Sequence, residues 1–291
     1  MDVLAVVLVV WCVYVSDAVW WTSSDALLFT GTRLGEFCAR RGPSLDVKDG
    51  RGFFASSLVP PFQCSFECEL LTATVDTEAR PVKRADIERR VRQALELSTS
   101  LRRLGEGLWI FLFILAPVTV AWRGLSGTWM VLLAILIVWV VAIAMTYRRS
   151  WRALYADDAR GWRGDAALMI LSPPGAIRAA DRLTRHALRH MSGVRVMSVV
   201  APADQFCEVA RLLYFDDATP RQETITREID QLLESTALGP VFVAPPTREP
   251  GMMGFCRRCH GQLLRGTGDC PDCVGLAITP FEAESPLLPP V

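Results

Sequence analysis

Thr128 to Tyr147 reads TWMVLLAILIVWVVAIAMTY, twenty residues with no ionisable group except the terminal tyrosine. At about 1.5 Å per residue, a helix of that length spans roughly 30 Å, the thickness of a bilayer's hydrocarbon core. A second apolar stretch, Leu108 to Trp122 (LWIFLFILAPVTVAW), precedes it, and only RGLSG separates the two. The pair predicts a transmembrane helical hairpin over residues 108–147. Trp109, Trp122, Trp129 and Trp151 stand where interfacial aromatic belts form. A third apolar stretch opens the chain, MDVLAVVLVVWCVYVSDAVWW. Ser16, Asp17 and Ala18 resemble a cleavage site, but Asp2 replaces the basic start of a signal peptide. The expectation is a retained transmembrane or anchor helix from about Val3 to Trp21, with cleavage or an interfacial segment as the alternative. Hydrophobic residues make up 51% of the chain, in keeping with these segments.

Arginines flank the hairpin unevenly. Arg89, Arg90, Arg92, Arg102 and Arg103 precede it, Arg148, Arg149, Arg152, Arg160 and Arg163 follow it, and the connecting loop holds only Arg123. Cytoplasmic flanks carry the excess of positive charge, so both hairpin ends are expected in the cytoplasm and the loop outside. The expected location is the inner (cytoplasmic) membrane, multi-pass, with the C-terminal region cytoplasmic. Charge is otherwise balanced, 31 cations against 31 anions, so net charge names no partner. Every cation but Lys48 and Lys83 is arginine, a bias that suits a GC-rich bacterial genome.

Outside the apolar segments, residues 22–107 read as a small mixed segment ending in a basic amphipathic helix. That helix is expected from about Pro81 to Leu104, with Ile87, Val91, Leu95 and Leu101 as a partial apolar stripe and a strongly basic remaining face, the helix resting on anionic headgroups. Residues 148–250 read as a small α/β domain, with AALMIL, VRVMSVV and VFVAP as strands. A helix between the last two is marked by Thr219 as cap, Pro220 in the first turn, Gln222 closing a capping box and Gly239 as its end. His186 and His190, four apart on one helix, could share a metal. HALRH lacks the glutamate of a zincin motif, however, and a boundary position beside the core explains them as well. Cys64 and Cys68, and the paired carboxylates Asp157–Asp158 and Asp216–Asp217, read as incidental thiols and solvated loop charge. No phosphate-binding, dinucleotide or nucleophile-elbow motif occurs. No catalytic residue is therefore assigned.

FCRRCHGQLLRGTGDCPDCVG, residues 255 to 275, carries the chemistry. Its first half, C-x-x-C-H, matches haem c attachment. That reading leaves Cys270 and Cys273 unexplained and needs this region outside the cytoplasm. Taken whole, Cys256, Cys259, Cys270 and Cys273 form two C-x-x-C pairs separated by ten residues. Four soft thiolates suit a tetrahedral site for structural zinc. Gly261 and Gly275 each stand two places beyond a second cysteine, where a knuckle needs a crowded or left-handed backbone. The stretch resembles the short bacterial zinc ribbons, whose knuckles take the form C-P-x-C-G with ten intervening residues. The second knuckle keeps Pro271 but has Val274 before its glycine, and the first has Arg257 and His260 where proline and glycine often stand. Rubredoxin's iron knuckles lie much farther apart.

The expected fold class is thus a membrane protein. It combines an N-terminal transmembrane or anchor helix (1–21), an α-helical transmembrane hairpin (108–147), a cytoplasmic small α/β domain (148–250), a zinc ribbon (251–276) and a Pro-rich flexible tail (277–291). Its expected partners are the lipid bilayer and a protein docked by the ribbon; a membrane-bound enzyme with a site in 148–250 is the alternative. Nucleic-acid contact by the ribbon is a weaker option, because Arg257, Arg258 and Arg265 form no broad basic surface. Reporter fusions after Trp151 test the orientation. They are expected to be active as cytoplasmic reporters, and activity confined to periplasmic reporters would reverse it.

Overall fold

The computed structural model describes residues 8, 11–15, 19–23, 26–41, 51–55, 63–70, 84–123, 128–155, 161–215, 222–236, 239–273 and 275–282. They form two compact units, Met1–Val200 and Ala201–Val291. The residues expected as one domain over 148–250 thus contribute to both.

In the first unit the organising element is helix α1, Arg84–Ile110. Its buried positions are Ile87, Val91, Ala94, Ser98, Leu101, Gly105 and Leu108, alternating steps of four and three that keep one seam on one side of a helix. Arg89, Arg90, Arg92 and Arg103 occupy the opposite, exposed face. The apolar stripe is therefore covered by protein at Ile87, Val91 and Leu101, with Leu95 half-buried, and the basic face stays exposed.

A π-helical turn, Phe111–Leu115, continues α1 into α2, Ala116–Arg123. Pro117 explains the wide turn. A proline ring inside an α-helix collides with the carbonyl four residues back, here Phe113, and the proline has no N–H to donate. The helix survives by widening, and Ala116 donates its N–H to Phe111 instead. Helix α3, Thr128–Leu154, packs back on α1, with Trp139 Nε1 donating to the Leu104 carbonyl at 3.0 Å. Arg84–Trp122 and α3 are both long and apolar enough to cross a membrane. Only 17% of the most apolar window of each is buried in the protein, whereas a soluble core helix would be mostly covered.

The sequence 19–23 departs from expectation. A helix reaching Trp21 is replaced by strand β1, Val19–Ser23, paired antiparallel with β4, Arg51–Ala55. The run VWWTS is β-branched and aromatic, the composition that favours a strand once a partner is present. Residues 11–15 are helical, and Trp11 and Tyr14 meet Phe113 edge-on at 5.4 and 5.5 Å. Residues 16–18, with the possible cleavage site, lie outside the described residues.

A second sheet, in the order β3-β2-β5, joins β3 (Cys38–Arg41), β2 (Ala26–Gly31) and β5 (Cys64–Glu69), all antiparallel. Phe29 and Phe66 stack across it with centroids 5.0 Å apart. Helices α4 (Trp162–Leu171), α5 (Pro173–Ala176), α6 (Ala179–Leu188) and α7 (Gly193–Val200) complete the unit. AALMIL and VRVMSVV, expected as strands, are thus helices. Short apolar runs carry no period that separates a strand from a buried helix, and here packing on α1, α3 and β5 decides.

A buried ion pair ties three of these parts together. Arg178 and Asp181 meet at 3.0 Å with side chains 4% and 6% exposed. Arg178 also donates to Tyr14 Oη at 3.2 Å, and Asp181 accepts from the Ser65 N–H at 2.9 Å. Ala203–Tyr214 (α8), Gln222–Ser235 (α9) and Gly239–Val243 (α10) open the second unit. VFVAP, the third expected strand, thus begins in α10, and Gly239 starts that helix rather than ending α9. Gln222 does not complete a capping box. Its Nε2 donates instead to the Leu213 and Tyr214 carbonyls at the end of α8, each at 2.7 Å. Thr219 and Pro220 lie outside the described residues.

Removing one partner of a buried pair strands the other charge, at a cost of about 3–5 kcal/mol. Asp181→Ala is therefore expected to melt far below the wild type in detergent, while Arg178→Met with Asp181→Leu recovers most of the loss. A single variant that melts with the wild type would show that the pair does not hold these elements together.

Candidate metal centre

Three short strands frame the cysteines, β6 (Gly254–Cys256), β7 (Gln262–Leu263) and β8 (Ile278–Pro280), in the order β7-β6-β8. β8 and Phe281 belong to this fold, with Phe281 donating its N–H to the Met253 carbonyl at 3.0 Å and packing 5.0 Å from Phe255. The flexible tail expected from 277 thus yields its first residues to the ribbon, because β-branched Ile278 and Thr279 complete the sheet; residues 283–291 lie outside the described residues. Gln262 fastens the approach to the ribbon: its Oε1 accepts from the Glu249 N–H at 2.8 Å and its Nε2 donates to the Thr247 carbonyl at 2.9 Å.

Each knuckle brings two thiols to one point. The Sγ atoms of Cys256, Cys259, Cys270 and Cys273 all lie within 4.8 Å of one another, with Cys256, Cys270 and Cys273 buried and Cys259 exposed. Tetrahedral zinc with Zn–S bonds of about 2.3 Å requires neighbouring sulfurs about 3.8 Å apart. Cys259 and Cys270 stand at 3.8 Å, far beyond the roughly 2.05 Å of a disulfide. These four residues fit a divalent metal, and they are the one such cluster among the described residues.

The two knuckles close differently. In the first, His260 itself is left-handed, with φ of 57°, and donates its N–H to the Cys256 carbonyl at 2.9 Å. Gly261 donates its N–H toward Cys259 Sγ at 3.4 Å. In the second, Gly275 takes the positive φ, 79°, a conformation in which a side chain is strained. The sequence repeat placed both glycines in equivalent roles, but only Gly275 is left-handed. His260 stands in the position of the glycine in a C-P-x-C-G knuckle.

Electrostatics argue for a cation. Burial opposes ionisation of Cys256, yet N–H groups of Cys259 and Arg258 pointing at its sulfur hold the thiol below its usual value. Burial and the neighbouring Cys259 and Cys256 push Cys273 up to about 12. Four thiolates this close repel, and a metal ion is what lets all four ionise together. His260 is held down to about 4 by burial and by the charge of Arg211, so it is neutral at pH 7.

Beside the ribbon lies a cavity of about 630 Å³, walled by Tyr214, Phe242 and Phe255 and edged by Arg211, Arg257 and His260. Its walls come from α8, α9, α10 and the ribbon, with Asp230 and Glu282 also lining it, too far apart in the chain for any motif to announce it.

The other candidates fare differently. His186 and His190 share no metal site among the described residues. His186 Nε2 lies 3.1 Å from Asp165 Oδ2, while His190 Nε2 accepts from Arg189 Nε at 2.9 Å on the surface. Tyr147 also donates to Asp165. Burial opposes ionisation of Asp165, but the bonds from His186 and Tyr147 outweigh it and hold the carboxyl below its ordinary value. The Tyr147–Asp165–His186 group was not visible in the sequence, because the partners come from three helices. Cys64 and Cys68 are buried on β5. Four residues apart, they are about 13 Å apart along a strand and cannot share an ion. Their thiols approach Thr184 Oγ1 at 3.5 Å and the Leu188 carbonyl at 3.8 Å, and burial pushes both far up. Asp157, Asp158, Asp216 and Asp217 lie outside the described residues.

Elemental analysis of purified protein is expected to find one divalent metal per chain. Cys270→Ser is expected to lose it, and with it the ribbon's fold, since structural zinc supplies about 10–16 kcal/mol in small domains. Unchanged metal content in that variant would remove Cys270 from the site. Comparison with known proteins gave no match: no family model fits the chain, and no curated protein or solved structure is significantly similar to it.

Proposed function

We propose that this chain is an integral membrane protein whose C-terminal unit is a cytoplasmic, zinc-stabilised docking module, with a scaffolding rather than a catalytic role. The observation that carries the reading is the convergence of four sulfurs within 4.8 Å on a three-stranded ribbon. A ribbon of this size buries little core, so its fold depends on the metal. The nearby cavity, with aromatic walls and arginines at its edge, adds a surface suited to a bound segment or side chain. Membrane insertion is supported by the two apolar helices and their largely uncovered faces, and the cytoplasmic placement by the arginine flanks.

A second reading is a membrane-bound enzyme, favoured by one observation: His186 and Asp165 form a hydrogen-bonded pair with Tyr147 at the end of the hairpin. Trp151 covers the imidazole edge-on at 5.2 Å, and the Tyr155 hydroxyl donates to the His186 carbonyl. That surround orients the ring, and it serves a structural role equally well.

Chemical cross-linking in native membranes separates the two. If docking holds, wild type and His186→Ala give the same cross-linked protein species, and Cys270→Ser loses them while staying in the membrane fraction. Retention of every species in Cys270→Ser would overturn the docking reading. A phenotype abolished by His186→Ala with the fold intact would favour the enzyme.

A further inference from the structure

Between Asp165 and Arg178 the chain runs AALMILSPPGAI, twelve residues without an ionisable group. They form most of α4, a tight turn with two prolines, and α5. The side chains of Ala166, Met169, Pro174, Ala176 and Ile177 are buried. Those turned outward are as apolar as a membrane span: Leu168 is 53% exposed, Ile170 57% and Leu171 80%. Within the transmembrane stretch of α3, Val138 is 69% exposed.

The direction of this segment sets its depth. It starts at the end of the hairpin, where Arg148 lies 5.1 Å over the Trp162 ring and Tyr147 donates to Asp165. It ends at Ile177, whose carbonyl would collide with any side chain at Gly105 of α1. Gly105 follows Leu104, the residue bonded by Trp139 from within the apolar stretch of α3. From Ile177 the chain returns along α6 to His186, which is back beside Asp165, Trp151 and Tyr155. Nine residues of near-helical rise separate Ile177 from His186, about 13 Å. The tip of the α4–α5 turn therefore stands on the order of 10 Å beyond Tyr147 along α3, level with Gly105 at the mouth of the first apolar stretch, where Arg102 and Glu106 pair at 3.7 Å.

Backbone bonding suits such a position, since unpaired groups are costly in hydrocarbon. Ser172 donates to the Leu168 carbonyl and Gly175 to the Ser172 carbonyl, each at 2.8 Å, and Ile177 donates to Pro174 and Arg178 to Gly175. Pro173 and Pro174 have no N–H to satisfy. The charged groups that bracket the loop are also matched, Asp165 by Tyr147 and His186 and Arg178 by Asp181.

We propose that residues 166–177 are a re-entrant loop that enters the acyl region of the leaflet on the arginine-rich side, with Leu168, Ile170 and Leu171 in contact with lipid. The proposal rests on the reading of the hairpin as membrane-spanning. Its occupant is lipid because Leu168, Ile170 and Leu171 are exposed without a charge among them, on a helix that packs against α3, whose own outward residues Val138, Val141 and Met145 are apolar. Arg148, Arg149, Arg152 and Arg163 stand at its base, where anionic headgroups would lie.

The test uses the full chain in vesicles of phosphatidylcholine and phosphatidylglycerol with no other protein present. The photo-crosslinker p-benzoylphenylalanine is placed singly at Leu171, at Val138 as a control for the span, and at exposed Arg189, beyond His186, as an aqueous control. Lipid adducts at Leu171 in yield like those at Val138, with none at Arg189, are the expected result. Adducts at Val138 alone overturn the re-entrant loop and leave the spanning hairpin standing. Adducts between two copies at Leu171 assign the surface to self-association and overturn the proposal. Absence of lipid adducts at both positions removes the membrane reading itself. The high exposure of Leu171 makes the substitution tolerable, and a wild-type melting temperature confirms that the labelled chain is folded.

Discussion

Continuity of one helix governs the first unit. Arg84 to Trp122 runs without a break through α1, the π turn and α2, and its two halves meet different surroundings. The first half offers a four-three seam to α6, α7 and α3, while the second is apolar on nearly every side. Because the backbone is a rigid rod, packing of the seam fixes where the apolar half points. Pro117 would have broken the rod, and the π turn is the local expansion that keeps it whole. Around this rod the Arg178–Asp181 pair holds the N-terminal helical turn and the β3-β2-β5 sheet to α6. Buried ionic groups cost desolvation, so their value lies in specifying which elements meet rather than in net stability.

The second unit depends on a different kind of constraint. Its ribbon has three strands of two or three residues, too short to supply a core. Four sulfurs gathered within 4.8 Å of one another could hold a metal ion in place of that core. Burial and the neighbouring cysteines push Cys273 upward, while backbone N–H groups hold Cys256 downward.

Several elements were legible because their signals are local. Two C-x-x-C pairs announce a cysteine cluster through spacing alone, and twenty uncharged residues announce a helix long and apolar enough to cross a membrane. The basic helix was legible as well, but its neighbour was not. Ile87, Val91 and Leu101 say that one face must be covered, without saying whether by lipid or by protein. The same limit explains AALMIL and VRVMSVV, apolar runs too short to reveal a period. Each became a helix because a groove beside α1, α3 or β5 was there to receive it. His186 illustrates the point for a single residue: its spacing to His190 suggested a shared metal, whereas its partner is Asp165 from another helix.

Sequence by itself determined the two long apolar stretches and the four clustered cysteines, since each is a property of neighbouring residues. Tertiary structure decided what no window of sequence contains. It turned Val19–Ser23 into a strand by supplying β4 as a partner. It placed His260, and not Gly261, in the left-handed position of the first knuckle. It folded the uncharged stretch 166–177 against α3, with Leu168, Ile170 and Leu171 left exposed. Backbone hydrogen bonds and apolar surface must both be satisfied by something, and only the assembled fold names that something.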